Sequence, residues 1–158
     1  MPPLSSQANS TAWSGRRVLV TGAGGFIGSH LVEDLVAAGA RVRAFVRYNS
    51  RGDCGWLELS ESDVFREIEV FRGDLANPEA VAGAVAGQEI VLHLGALIPI
   101  PYSYRHPREF VTANVVGTLN VLEAGRREDC DRNYAMAGRL NWDWRCGARL
   151  YFDLDGRQ

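Results

Sequence analysis

The sequence contains no lysine. All 17 of its basic residues are arginine, so no step that needs a side-chain amine can be carried by these 158 residues. Cysteine is scarce as well. Cys54, Cys130 and Cys146 are an odd number, widely spaced and without a CxxC pair, which argues against a disulfide framework or a zinc site. Reduced thiols in a cytoplasmic protein are the expectation. No apolar run approaches the ~18 residues of a membrane span. Residues 1–15 have neither a basic start nor an apolar core, so they do not read as a secretory signal and are expected to be a flexible leader. Seventeen basic against 19 acidic residues leave a net charge of -2, which offers no footprint for nucleic acid or an anionic membrane.

What is present suits one globular α/β domain. Val18–Thr21 (VLVT) is a short apolar run before a glycine cluster and reads as a buried parallel strand. Ile27, Leu31, Leu35 and Ala38 then recur at helical spacing, and Gly39 marks a stop. Arg41–Val46, Ile68–Phe71 and Ile90–Leu94 are three further strands. Residues 47–63 and the Pro- and Tyr-rich stretch 97–107 read as loops. Asn77-Pro78-Glu79 is a helix start, with a capping side chain, proline in the first turn and an acid near the positive helix end. A last long helix is expected over 108–126, with Phe110, Asn114, Gly117 and Val121 on one face. Strands alternating with helices predict a doubly wound parallel sheet, here ending after about the fourth strand and its following helix. Residues 128–158 break the pattern, with no four-residue aliphatic run and only a scrap of strand at Leu150–Phe152. Disorder or loose packing is expected there.

Gly22, Gly25 and Gly28 form GxxGxxG between a strand and a helix. The spacing suits a tight turn, close backbone approach to a pyrophosphate and close helix–sheet packing, with the anion held by the N-terminus of the 27–38 helix and Phe26 and Ile27 among the cofactor-binding residues. Dinucleotide binding is the reading. An acid at the end of the second strand would hold the ribose 2′-hydroxyl of NAD. This sequence has Arg47-Tyr48-Asn49-Ser50-Arg51 there. Arg47 or Arg51 could instead pair with a 2′-phosphate, which favours NADP over NAD. The alternative is that both arginines are solvated loop residues.

TGAGGFIG (Thr21–Gly28), GDL (Gly73–Leu75), HLGA (His93–Ala96) and NVVGTLNVLEA (Asn114–Ala124) together resemble the N-terminal half of extended short-chain dehydrogenases/reductases, the NAD-dependent epimerase/dehydratase family with its Rossmann-like fold. FVRYNSRGDCGWLE (Phe45–Glu58) and HLGALIPIPYSY (His93–Tyr104) are most similar to nucleotide-sugar 4,6-dehydratases, nearest the legionaminic acid-type UDP-N-acetylglucosamine enzymes. The resemblance covers about residues 16–127. It implies that Asp74 and Leu75 face the adenine, and that Leu94, Gly95, Ala96 and Ile98 line the cofactor. Asn114 would sit near the nicotinamide half, and Pro99–Tyr104 would border a nucleotide-sugar site. Simpler roles stand beside these: a turn residue for Asp74, a buried polar bridge for Asn114, a packed core residue for His93.

The reaction implied by the resemblance oxidises C4 of the sugar by hydride transfer, eliminates water across C5–C6 and returns the hydride to C6. Its acid/base is a Tyr in YxxxK, whose lysine lowers the phenol pKa from ~10. The sequence has no such motif. Tyr134 is followed four residues on by Gly138, and Tyr151 by Asp155. No catalytic residue and no metal ligand is therefore assigned, and this chain alone is expected to be inactive. A non-catalytic NADP-binding module and a non-functional fragment are the alternatives. The abrupt change near Arg127–Glu128 suggests a frameshift, and dimerisation through the long helix is doubtful without its partner helix.

Overall fold

The computed structural model describes residues 10–60, 62–130 and 132–135. Five parallel strands form one sheet: β1 (Arg17–Thr21), β2 (Arg41–Arg47), β3 (Glu69–Gly73), β4 (Ile90–His93) and β5 (Arg132–Ala135). Their order across the sheet is β3-β2-β1-β4-β5. The order reverses beside β1, because β2 and β3 extend one way and β4 and β5 the other. A crevice opens outside the carboxyl ends of strands at such a switch point.

Alternation along the strands feeds two cores. Val18, Val20, Val42, Ala44 and Val46 point to one face. There they meet Val32 and Leu35 of α2 (Phe26–Ala37), together with Leu57 from the 3-10 turn Gly55–Leu59. Leu19, Phe45 and Val91 point to the other face, against Val81 and Val85 of α4 (Pro78–Val85) and Val121 of α7 (Gly117–Arg127). The sheet is thus covered on both faces, as its near-continuous apolar strands require.

Several local expectations meet their physical cause. The Asn77 side chain accepts from the backbone N–H groups of Glu79 (2.9 Å) and Ala80 (3.0 Å), with Pro78 opening α4. Three stretches differ from the sequence reading. Ser10–Trp13, within the stretch expected to be a leader, is a helical turn, α1, and Trp13 packs on the first core. The 47–63 loop ends in α3 (Ser62–Glu67), whose Val64 and Phe65 also reach that core. The long helix is divided, and the expected Tyr-rich loop contributes its start. α5 (Ile100–Arg105) and α6 (Pro107–Val111) precede a π-helical turn at Thr112–Val116, which leads into α7.

The sheet also does not stop at the fourth strand. β5 pairs in parallel with β4 in the register Ile90↔Arg132 to His93↔Ala135. An apolar run is the sequence criterion for a buried strand, and RNYA is not one. An edge strand is held by backbone hydrogen bonds, which any non-proline sequence supplies. The suggested strand at Leu150–Phe152 lies outside the described residues. No helix among the described residues is long and apolar enough to cross a membrane.

Candidate functional site

The turn after β1 leaves no room for side chains. Gly22 has φ of +69°, and a Cβ there would stand 2.7 Å from the Gly95 nitrogen and 2.9 Å from the Leu94 carbonyl carbon. A Cβ on Gly28 would meet the Gly22 carbonyl oxygen at 2.2 Å. The glycines therefore bring β1, the loop after β4 and the start of α2 within backbone contact of one another. Gly25 is the N-cap of α2 and places no side chain over the helix end. First-turn N–H groups of a helix have no intrahelical acceptor, so this end presents donors and partial positive charge outward.

Around this turn lies a cleft of about 770 Å³. Gly22, Gly25, Phe26, Ile27 and Gly28 line it on the β1–α2 side. Arg47, Asp74 and Leu75 stand on the β2–β3 side, and Leu94, Gly95, Ala96 and Ile98 on the β4 side. Phe26 and Ile27 are 58% and 62% exposed. Apolar side chains left open at the mouth of a cleft suit a ligand that covers them. A bare-backbone turn, an uncapped helix end and an apolar-walled cleft all fit a dinucleotide.

The cleft brings together every cofactor residue named from the sequence except Arg51 and Asn114, and Pro99–Tyr104, named for the sugar site, do not line it. Arg51 is exposed and lies outside it, its backbone N–H donating to Asn49 Oδ1 (3.1 Å). Asn114 is occupied by the backbone of Leu97. Its Oδ1 accepts from the Leu97 N–H (2.7 Å), and its Nδ2 donates to the Leu97 carbonyl (2.9 Å). That is the polar-bridge geometry, placed just behind the cleft wall. Phe45, Gly73, Arg108 and Thr112 also line the cleft, and sequence reasoning misses them. Gly73 has a signal in its motif: a Cβ there would press the Phe45 ring at 2.9 Å. Arg108 and Thr112 have none, since α6 and the π turn bring them in.

A smaller cleft of about 210 Å³ adjoins the glycine turn, lined by Arg47, Asn49, Asp53 and Cys54. Asp53 is the first carboxylate after β2, and its Oδ1 accepts from Asn49 Nδ2 (3.0 Å). Arg47 faces both clefts.

His93 is packed in the core, 1% exposed at the end of β4. Thr118 Oγ1 donates to the Asn114 carbonyl (2.7 Å), so toward His93 Nε2 (3.0 Å) it accepts. This network assigns the imidazole proton to Nε2. Nδ1 then accepts from Thr21 Oγ1 (2.6 Å), which itself accepts from the Gly95 N–H (3.1 Å). Burial lowers the His93 pKa to about 4, so the ring is neutral at pH 7.

A family model described as GDP-mannose 4,6 dehydratase matches residues 19–137. The chain belongs to this family. The match runs past Arg127, further than the motifs alone reach. Among curated relatives, a 2-alkyl-3-oxoalkanoate reductase of Stenotrophomonas maltophilia is 40% identical over 116 residues, covering 73% of this chain and 31% of the relative. A dTDP-glucose 4,6-dehydratase of Mycobacterium tuberculosis is 33% identical over 140 residues, covering 86% of this chain and 40% of the relative. A solved UDP-glucose 4-epimerase of Thermus thermophilus, in complex with NAD, is 32% identical with a TM-score of 0.59, covering 75% of this chain and 36% of that one. The chain thus corresponds to the N-terminal region of nucleotide-sugar dehydratases and epimerases and has their Rossmann-like fold. It spans between 30% and 40% of the length of the curated relatives it matches.

Proposed function

We propose that this chain is the dinucleotide-binding part of a nucleotide-sugar 4,6-dehydratase or epimerase of the cytoplasm, that it prefers NADP to NAD, and that these 158 residues alone do not turn a sugar over. One observation carries the cofactor preference. Arg47 stands at the carboxyl end of β2 facing both clefts, where an NAD site would place an acid. A guanidinium there meets a 2′-phosphate through charge-assisted hydrogen bonds. A bound nicotinamide would supply hydride transfer in the full-length enzyme. The residues of this chain hold the pyrophosphate at the α2 N-terminus, with Phe26 and Ile27 exposed for the ligand to cover.

The absence of lysine supports inactivity. A phenol needs a nearby positive charge to become a base near neutral pH. Tyr102, in the stretch that borders the proposed sugar side, is driven the other way. Its hydroxyl donates to Glu109 Oε2, and that hydrogen bond, with burial and the carboxylate's charge, raises its pKa.

A second reading, NAD, has its own observation. Asp53 lines the small cleft and is the nearest carboxylate after β2. Direct titration separates the two readings. NADPH is expected to bind more tightly than NADH, and Arg47→Ala to remove ~10–100-fold of that preference, the worth of one or two charge-assisted hydrogen bonds. Tighter NADH binding overturns the NADP assignment. Failure to bind either overturns the dinucleotide reading, and turnover of a nucleotide sugar by this chain overturns the claim of inactivity.

A further inference from the structure

The helical segment from the π turn into α7 carries four residues of the Asn114–Ala124 motif whose side chains or packing reach the cleft walls from behind. None of Asn114, Gly117, Thr118 or Asn120 lines the cleft. Asn114 grips both polar groups of the Leu97 residue at 2.7 and 2.9 Å. Thr118 takes the His93 Nε2–H, and through His93 and Thr21 it reaches the Gly95 N–H. Asn120 Nδ2 donates to the Leu75 carbonyl (2.8 Å). A Cβ on Gly117 would lie 2.9 Å from the Leu75 Cβ, so the helix backbone abuts that wall directly.

These contacts divide by strand, while the two walls touch where the Leu75 side chain packs over Gly95: a Cβ there would lie 2.6 Å from the Leu75 Cδ1. Leu75 follows β3 on one side of the glycine turn, whereas Gly95 and Leu97 follow β4 on the other. In a sheet of this order the pyrophosphate sits at the β1 turn and the adenosine ribose at the end of β2. The adenine half therefore lies over β2 and β3, and the nicotinamide half over β4.

We infer that this segment is a positioning clamp with two separable arms: Asn120 sets the adenine wall through Leu75, while Asn114 and the Thr118–His93–Thr21 relay set the nicotinamide wall through Leu97 and Gly95. The inference rests on the dinucleotide reading above. Its content is that affinity for each half of the ligand is controlled by a different residue that the ligand never touches.

The test uses the 158-residue chain, the tighter-binding of NADPH and NADH, and the adenine half alone, adenosine 2′,5′-bisphosphate or ADP to match. Asn120→Leu is expected to weaken dinucleotide and adenine half alike, by ~5–20-fold for a lost, partly buried hydrogen bond. Asn114→Leu and Thr118→Val are expected to weaken the dinucleotide by a similar factor and to leave the adenine half within about twofold, because their arm ends on the other wall. Thr118→Ser keeps the hydroxyl and is expected to restore binding. Asn114→Ser is a milder second variant should Asn114→Leu fail to fold, and circular dichroism with melting temperature is read for each. Equal weakening of both ligands by all variants overturns the two-arm assignment, as does a lowered melting temperature with unchanged affinities. A wild-type chain that binds neither dinucleotide overturns the dinucleotide reading itself, and this inference with it. Wild-type binding without the split overturns only the inference.

Discussion

Acid should unfold this protein through one buried histidine. His93 is 1% exposed, and its partners are the neutral hydroxyls of Thr21 and Thr118. Burial alone brings its pKa to about 4 from an ordinary 6.5. The native ring is therefore neutral at pH values where the unfolded ring is protonated. Between about pH 6.5 and 4 the unfolded state binds more protons, so stability rises with pH across that window. It is fully present above about pH 6.5, and is lost as pH falls toward about 4. At 1.36 kcal/mol per pKa unit, the full loss is about 3 kcal/mol, and about 2 kcal/mol is already gone at pH 5. That is a large share of a typical domain's ~5–15 kcal/mol. The assay is urea unfolding at about pH 7.5 and about pH 5, on the wild type and on His93→Gln. The variant starts less stable, since Thr21 and Thr118 lose well-placed partners, but its further loss at pH 5 should be smaller by about 2 kcal/mol. Carboxylates whose pKa values are lowered, such as Glu33 and Glu123, titrate equally in both proteins and cancel in the comparison. Parallel pH slopes for wild type and variant would refute the reasoning.

Gly28→Ala should force α2 away from the turn, because its Cβ would meet the Gly22 carbonyl oxygen at 2.2 Å and the Ala23 Cα at 2.9 Å, both backbone atoms. A loss of ~1–3 kcal/mol in stability is expected with at least a roughly tenfold loss in dinucleotide affinity, read by melting and by titration. Asn77→Ala removes the cap of α4 and should cost about 1 kcal/mol in urea unfolding. Arg47→Ala should change the ratio of NADPH to NADH affinity and leave the melting temperature of the ligand-free chain within about 1 °C, as an exposed side chain away from core contacts implies.

The parts legible in the sequence are those with a local physical signature. A strand buried on both faces reads as an apolar run, which reveals β1 and β4. The Asn77 cap and the glycine turn are each specified by side chains, or their absence, within a few residues. The less legible parts depend on partners distant in the chain. RNYA becomes β5 only because β4 offers a backbone edge. The π turn is invisible because a helix pattern does not reveal one residue of slack. Yet that slack lets Thr112 and Ala113 reach the cleft while Asn114 turns to Leu97. Arg47 and Arg51 show the same limit. In the sequence both are equal candidates for a 2′-phosphate, and only the path of the chain after β2 leaves Arg47 facing the cleft and Arg51 outside it.

Binding and chemistry separate along this chain for a topological reason. The residues that line the main cleft run from Gly22 to Ala113, and they come from the carboxyl ends of β1 to β4 and the segments that follow them. The clamp behind them ends at Asn120. The described residues that line the cleft thus precede the point where the family-like motifs give way, and none of them is a lysine. The lysine of YxxxK lowers a phenol's pKa and holds the nicotinamide ribose in the enzymes this sequence resembles, whereas the phenol of Tyr102 is pushed upward. The proposed reading is thus cofactor affinity without a lysine-activated tyrosine to move a proton. Titration and turnover measured on the same preparation should diverge, with saturable dinucleotide binding and no sugar product. Product formation would mean that a group other than a lysine-activated tyrosine serves as the base.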